Sequence, residues 1–484
     1  MAVNQRFLLF VALTTILFLV AGCGGGASVS FPPPQGGFTN ASLSGPFAFA
    51  YTGTDGAGFL AVAGSFQADG NGNITSGMQD INSGFAITTN AAITGTYTVR
   101  ADGRGSANLN SPAGNTVIDF VLVAGGHGLV IRFDGNATAS GTIDQQAPSA
   151  FTNTALAGSF AFSLFGIDGL GNPLTVGGIF TSDASGAITT GIDDSNDNGS
   201  VLTNDPMTGS IPVASNGRGA ATINTGRGTL TFAFYVVDAT HIKLVEVDAA
   251  TALGGDAFRQ TGAFSNASVT GPFAFTLSGA DIVSGGPFAT GGFLTADGAG
   301  TITSGSQDFN DAGTITTNVA LTGSYAIAAN GRGTLSIVTG SGTFNFIVYP
   351  SSGGVLVLET DLRFLTTGTA LQQTPPFGAS SFSGAYGMNF SGVTANGELD
   401  SIAQFTADGA SKFNGIIDVN NVGSISFGQP LTGTFTIANT GRSTVTLQTS
   451  LGTQNMVFYS VSGTRALFIE LDSNTVAAGE IRHQ

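Results

Sequence analysis

Tryptophan is absent from this chain, cysteine occurs once in 484 residues, and Asp, Glu, Lys and Arg together make up only 9%. A single cysteine excludes an internal disulfide and a cysteine-based zinc cluster, so stability has to come from packing and backbone pairing. Basic side chains number 14 against 30 acidic ones, for a net charge of −16. Such a surface repels nucleic acid and anionic lipid headgroups. Low charge accompanies disorder only where apolar content is also low; here apolar residues are 42%, and the chain should fold. Helical periodicity is missing too. What is plentiful is glycine, 73 residues, and phenylalanine, 38, set among Thr, Ser, Asn and Val. That is the composition of many short strands joined by tight turns.

A short start carrying Arg6, an apolar run from Phe7 to Val20, and small residues before Cys23 make the three zones of an export signal. The run is shorter than the roughly 20 residues a helix needs to cross a bilayer. The segment Leu19-Val20-Ala21-Gly22-Cys23 resembles the lipobox of bacterial lipoproteins. The resemblance covers these few residues only. It implies a signal peptide over 1–22, cleavage before Cys23, acylation of that cysteine, and hence membrane lipid as a partner. Residues 23–37, rich in Gly and Pro, then form a tether that reaches about 50 Å at about 3.3 Å per residue. Gly24 lacks the aspartate that retains some lipoproteins at the inner membrane, which favours the outer membrane or cell surface.

The remainder repeats. Gly103-Arg104, Gly217-Arg218, Gly331-Arg332 and Gly441-Arg442 are 114, 114 and 110 residues apart. An opening motif around Gly45, Gly158, Gly271 and Gly384 keeps the same beat, and the units close at Gln146, Gln260, Gln373 and Gln484. The expected domains are 38–146, 151–260, 264–373 and 379–484, each large enough for its own core. Within a unit the hydrophobic period is two. In the first, strands are predicted over Pro46–Ala50, Phe59–Gln67, Asn73–Asp80, Ala92–Arg100, Gly105–Asn110, Val117–Val123, Gly128–Phe133 and Ser140–Gln145, joined by glycine turns that favour hairpins. The expected fold class is all-β, four tandem units of about eight antiparallel strands, with an up-and-down barrel preferred and a sandwich as the alternative. A propeller would need two similar halves per unit; the internal echo of Gly64-Ser65-Phe66 in Gly95-Thr96-Tyr97 is spaced by 31 instead. Several strands, such as Phe232-Ala233-Phe234-Tyr235-Val236-Val237, are apolar on both faces, so the second face needs a cover from a neighbouring unit or a partner.

The scarce charges recur in step. Asp80, Asp194, Asp308 and Asp418 form one series, Asp134, Asp248, Asp361 and Asp472 another, and Arg104, Arg218, Arg332 and Arg442 a third. They are either a repeated polar binding site or, as turn chemistry and carboxylate–guanidinium pairing favour, structural. Glu246, Glu359 and Glu470 are expected to pair with Arg218, Arg332 and Arg442, although Arg132 takes the glutamate's place in the first unit. Asp194, Asn196, Asn198 and Asp205 match part of a calcium-loop pattern without its helical flanks, a weak metal candidate. His127, His241 and His483 are expected to be solvated. No nucleophile–base arrangement or phosphate loop is present in the sequence, and no cofactor is expected.

These features favour a non-catalytic role in adhesion, recognition or envelope structure. Four units in a rod or cluster would give avidity for a polysaccharide or another envelope protein. The first alternative is a carrier of small apolar ligands, against which the many phenylalanines argue because they would fill a small barrel. A carbohydrate-active enzyme is the second.

Overall fold

The computed structural model describes residues 37–484. Cys23, the signal segment and all of the tether before Gly37 lie outside the described residues.

The chain forms four closed, eight-stranded antiparallel barrels. In barrel 1 the strands are β1 (Ser44–Asp55), β2 (Gly58–Asp69), β3 (Asn73–Ser83), β4 (Ala86–Ala92) with its continuation β5 (Thr94–Val99), β6 (Arg104–Asn110), β7 (Thr116–Val123), β8 (His127–Arg132) and β9 (Ala137–Gln145). β4 and β5 are two halves of one stave, which is unbroken in barrel 3 as Thr314–Ile327 and in barrel 4 as Ser424–Ile437. The barrel closes when β9 returns to β1, from Phe47 opposite Gln145 to Asp55 opposite Ala137. Barrels 2, 3 and 4 run from Gly158–Ile167 to Ala252–Arg259, Thr270–Asp281 to Phe364–Gln372, and Ser383–Thr394 to Thr475–His483.

The period of two sets the layers. On β1, Phe47, Phe49 and Tyr51 point into the barrel core, while Ala48 points outward. Turns are held by side chains. Asp69 accepts the amides of Asn71 and Asn73 at 2.7 and 2.9 Å, and Gly70 and Gly72 take φ of +76° and +109° in that turn, where only glycine is unstrained. One end of each barrel is closed by an apolar residue before its first strand: Leu43, Leu156, Val269 and Phe382 are all buried.

The outward apolar faces decide how the barrels assemble. Ala48, Ala61 and Ala63 of barrel 1 pack on Ala233, Tyr235 and Val245 of barrel 2. Ala161 and Ile179 of barrel 2 pack on Ile347, Tyr349 and Leu356 of barrel 3, and Ala274 and Ala289 of barrel 3 on Val457, Tyr459 and Ile469 of barrel 4. Barrel 4 then offers Ile402 to Val121, Leu129 and Ile131 of barrel 1. The first two strands of each barrel always meet the sixth and seventh of the next, and the last barrel meets the first. The result is a closed ring of four. Of the expected rod or cluster it is a cluster, because the cover that each second face requires is the neighbouring barrel, and four like joints return to the start.

Candidate functional site

The repeated charges sit at the ring joints. Asp80 on β3 has no exposed surface. Its carboxylate accepts Nε and Nη2 of Arg218, from the next barrel, at 2.8 and 2.7 Å, together with the hydroxyl of Tyr235. Asp194 takes Arg332 at 2.8 and 2.6 Å and Tyr349 at 2.6 Å. Asp308 takes Arg442 at 2.8 and 2.7 Å and Tyr459 at 2.6 Å. These two-pronged, charge-assisted pairs fix distance and orientation together. Burial first, and then the facing aspartate, push the three tyrosine hydroxyls well above their ordinary range, so they act as neutral donors.

Two more residues per unit complete each joint. Asn82 donates to the carbonyls of Glu246, Asp248 and Thr251 at 3.1–3.4 Å. Asn196 does the same with Glu359, Asp361 and Phe364, Asn310 with Glu470, Asp472 and Thr475, and Asn420 with Arg132 and Ala137 of barrel 1. The closing glutamines reach the same way: Gln146 to Val236, Gln260 to Pro350 and Gln373 to Ser460. Gln484 crosses to barrel 1, donating to Asp102 and Leu122 at 2.7 and 3.0 Å.

The closing joint is a variant. Arg104 donates from Nε to Asp102, within its own turn, at 3.0 Å, and its Nη1 stays 3.7 Å from Asp418. Val121 stands in the tyrosine's place, opposite Arg104 as Tyr235 is opposite Arg218. Its neighbour across the joint compensates. Opposite the repeated aspartates lie Ala63, Gly177 and Gly291 in barrels 1 to 3 but Ile402 in barrel 4. A side chain at Gly177 or Gly291 would strike the ring of Tyr349 or Tyr459. A large–small pair has become a medium–medium one.

The expected Arg–Glu pairs are not made. Each arginine leaves its own barrel, while Glu246 and Glu359 accept threonine hydroxyls and Glu470 a glutamine amide inside theirs. Burial raises these carboxyls, to about 8 for Glu246 and Glu470, so they are protonated at neutral pH and need no guanidinium. Arg132 in barrel 1 pairs with Asp134 at 2.7 Å. That aspartate, with Asp248, Asp361 and Asp472, accepts the amides of Val117, Thr231, Asn345 and Asn455 and so caps a strand.

The calcium-like stretch is strand followed by turn. Asp194 and Asn196 are engaged across the joint, Asp205 accepts the Gly226 amide, and Asn198 turns the chain at φ +46°. Among the described residues no group of three or more His, Cys, Asp or Glu side chains is placed to hold a metal ion. Two histidines are not solvated as expected. His127 bonds Asp144, and His241 bonds Asp256 at 2.7 Å while stacking on Phe258. Both acids face the fully buried Lys243, which reaches Asp144 of barrel 1 at 2.8 Å. Burial alone would raise Asp144 and Asp256, but the Lys243 charge and the histidine bonded to each acid together outweigh it and hold both below the usual carboxylate range. His483 lies edge-on to Tyr386.

Barrel 3 holds a cavity of about 470 Å³, against about 40 Å³ in barrel 2. The residue facing the position after each repeated arginine is Phe120, Phe234 and Phe458 in barrels 1, 2 and 4 but Val348 in barrel 3. The residue facing the first core aromatic is Phe66, Phe180 and Phe405, but Leu294 in barrel 3. Phe273, Phe275 and Phe346 stay in the core, but four more of the phenylalanines expected to fill the barrel stand around its mouth. Phe288, Phe309, Phe344 and Phe364 form a chain of rings with centroids 4.5–6.0 Å apart. In barrel 2 the tight turn at the mouth carries Arg227, which bonds Asp193; the same turn in barrel 3 carries Ser341. Sequence reasoning missed these rings, although aligning the four units position by position would have exposed them.

No protein-family profile matches this chain, and no curated protein matches it. Among solved structures, transferrin binding protein B of Haemophilus parasuis is 10% identical, covering 74% of this chain and 83% of its own at a TM-score of 0.20. Isotype 1 transferrin binding protein B of serogroup B Neisseria meningitidis is also 10% identical, with 75% and 85% covered at 0.20. CghA with Sch210972 is 10% identical and 94% covered on both sides at 0.15. At such scores these likenesses carry no argument about function.

Proposed function

We propose that this protein is exported, acylated on Cys23 and held at the cell envelope, at the outer membrane or cell surface, where its ring of barrels has a non-catalytic role in recognition or envelope structure. The observation that supports a non-catalytic role is the use made of the repeated charges. Asp80, Asp194 and Asp308 are consumed by Arg218, Arg332 and Arg442 across the joints, and Asp134, Asp248, Asp361 and Asp472 cap strands. Chemistry would require such groups to converge on one cleft. A rigid ring with four similar outer edges instead suits a repeated partner such as a polysaccharide or another envelope protein. The anchor is read from the lipobox. Among the described residues no helix is long and apolar enough to cross a membrane.

The test is fractionation with whole-cell protease shaving of the native chain and Cys23→Ala. The native chain is expected in the membrane fraction, carrying labelled fatty acid and cut by added protease. Cys23→Ala is expected to lose the label and leave the membrane. Equal membrane retention of the two would refute the anchor, and protection of both from protease would refute surface exposure.

A further inference from the structure

We infer that barrel 3 is a binding site for one small, uncharged, hydrophobic molecule carrying a hydrogen-bonding oxygen, and that the other three barrels support it. This stands apart from the envelope role and does not depend on it.

The molecule supplies its own controls. Four barrels share one strand plan, and three of them fill the interior with phenylalanine at the two places where barrel 3 has Leu294, on the cavity wall, and Val348, which with Leu294 lines an adjoining hollow of about 30 Å³. Emptying a core has a cost in stability that grows with the volume left, so the hollow needs an occupant to offset it. The opening needs a reason as well. Phe288 replaces Leu60, Leu174 and Leu399; Phe309 replaces Ile81, Ser195 and Val419; Phe344 replaces Thr116, Leu230 and Gln454. All these rings line one cavity. Large aromatics gathered at an entrance, rather than at its floor, offer flat apolar contacts to whatever enters.

The volume of about 470 Å³ lies within the range of roughly 300–1,000 Å³ that encloses small ligands. The walls are mainly apolar, and the polar groups decide the ligand's charge. Arg363 at the rim is already paired with Asp281 at 2.6 Å and Asp311 at 3.2 Å. An anion such as a fatty acid carboxylate would therefore find acids and no free cation. Glu359, on the wall, gives one oxygen to the Thr366 hydroxyl at 2.5 Å. Burial raises its carboxyl far above the usual range, so its second oxygen can serve a neutral hydroxyl or carbonyl inside the cavity.

The experiment titrates the intact chain, with Cys23→Ser to keep it free of lipid, with the uncharged fluorescent probe N-phenyl-1-naphthylamine. One probe per chain is expected to bind. Giving barrel 3 its sisters' residues, Leu294→Phe with Val348→Phe, is expected to weaken binding at least tenfold while the melting temperature holds or rises. Phe344→Gln, the residue barrel 4 carries at that place, adds no bulk to the interior and is expected to weaken binding several-fold; it remains decisive if the filled variant fails to fold. Binding of several probes per chain, or affinity unchanged in a folded variant, would overturn the assignment.

Discussion

Asp80 is buried, and its carboxylate is compensated by Arg218 and Tyr235 of the next barrel together with the Asn90 amide of its own. Removing the guanidinium leaves a carboxylate without its counter-charge, whereas the closing joint has less to lose because Arg104 is bonded mainly to Asp102. Arg218→Met is therefore expected to lower stability by about 3 kcal/mol or more, and Arg104→Met by clearly less, in parallel urea unfolding curves. Equal losses would contradict the difference between the joints. Tyr235→Phe should cost less again, about 1.5–3 kcal/mol for a lost bond to a charged group. The series of Asp and Arg was plain in the sequence, but its partners were not. Spacing within one unit put Arg218 near Glu246, while its real partner lies 138 residues earlier, a choice that only the assembly of barrels makes. Val121 facing Ile402 where the other joints have Tyr facing Ala or Gly was legible in principle, once the units are aligned and the contact is known.

At the level of strands and joints, most of the eight staves follow from alternation. The stave missed in part is β4, whose residues are largely exposed on both faces. No hydrophobic period marks it, and Asn90 breaks its register at φ +53° while donating its amide to Asp80. The joint between barrels 4 and 1 carries an excess of buried acids. Burial raises Glu398 and Asp119 to about 7, and also raises Asp400 and Asp418. These groups stay protonated in the folded state while the unfolded chain has ionised near pH 4. The folded state then holds more protons across pH 4 to 7, so the stability they contribute is full below about pH 4 and is lost as pH rises through about 7. The melting temperature is expected to fall between pH 5 and pH 8. Glu246 and Glu470, raised to about 8 inside their barrels, add in the same direction. A local assignment comes from Glu398→Gln with Asp400→Asn, which should flatten the slope; an unchanged slope would place the effect elsewhere. Amide exchange at pH 8 should be faster around Thr54 and Glu398, which meet at 2.6 Å across this joint, than around Asp194 and Arg332.

For the molecule as a whole, four barrels could be read from the repeat, but their closure could not. A repeat with the same two sticky faces can extend as a filament or close as a ring, and the angle at each joint decides. That angle depends on how closely Ala and Gly let two barrel walls approach, which no spacing reveals. Nor did composition show that barrel 3 is hollow, since its phenylalanines were counted and not placed. The ring itself is the central claim, and a disulfide across the closing joint tests it most directly. A Cβ at Gly387 would lie 2.7 Å from a methyl of Val123, which is within reach of disulfide geometry. The chain carrying Val123→Cys and Gly387→Cys, with Cys23→Ser, should oxidise to one compact monomer with no free thiol, running faster than its reduced form on a denaturing gel. Free thiols after oxidation, or dimers linked through these positions, would show that barrel 4 does not meet barrel 1.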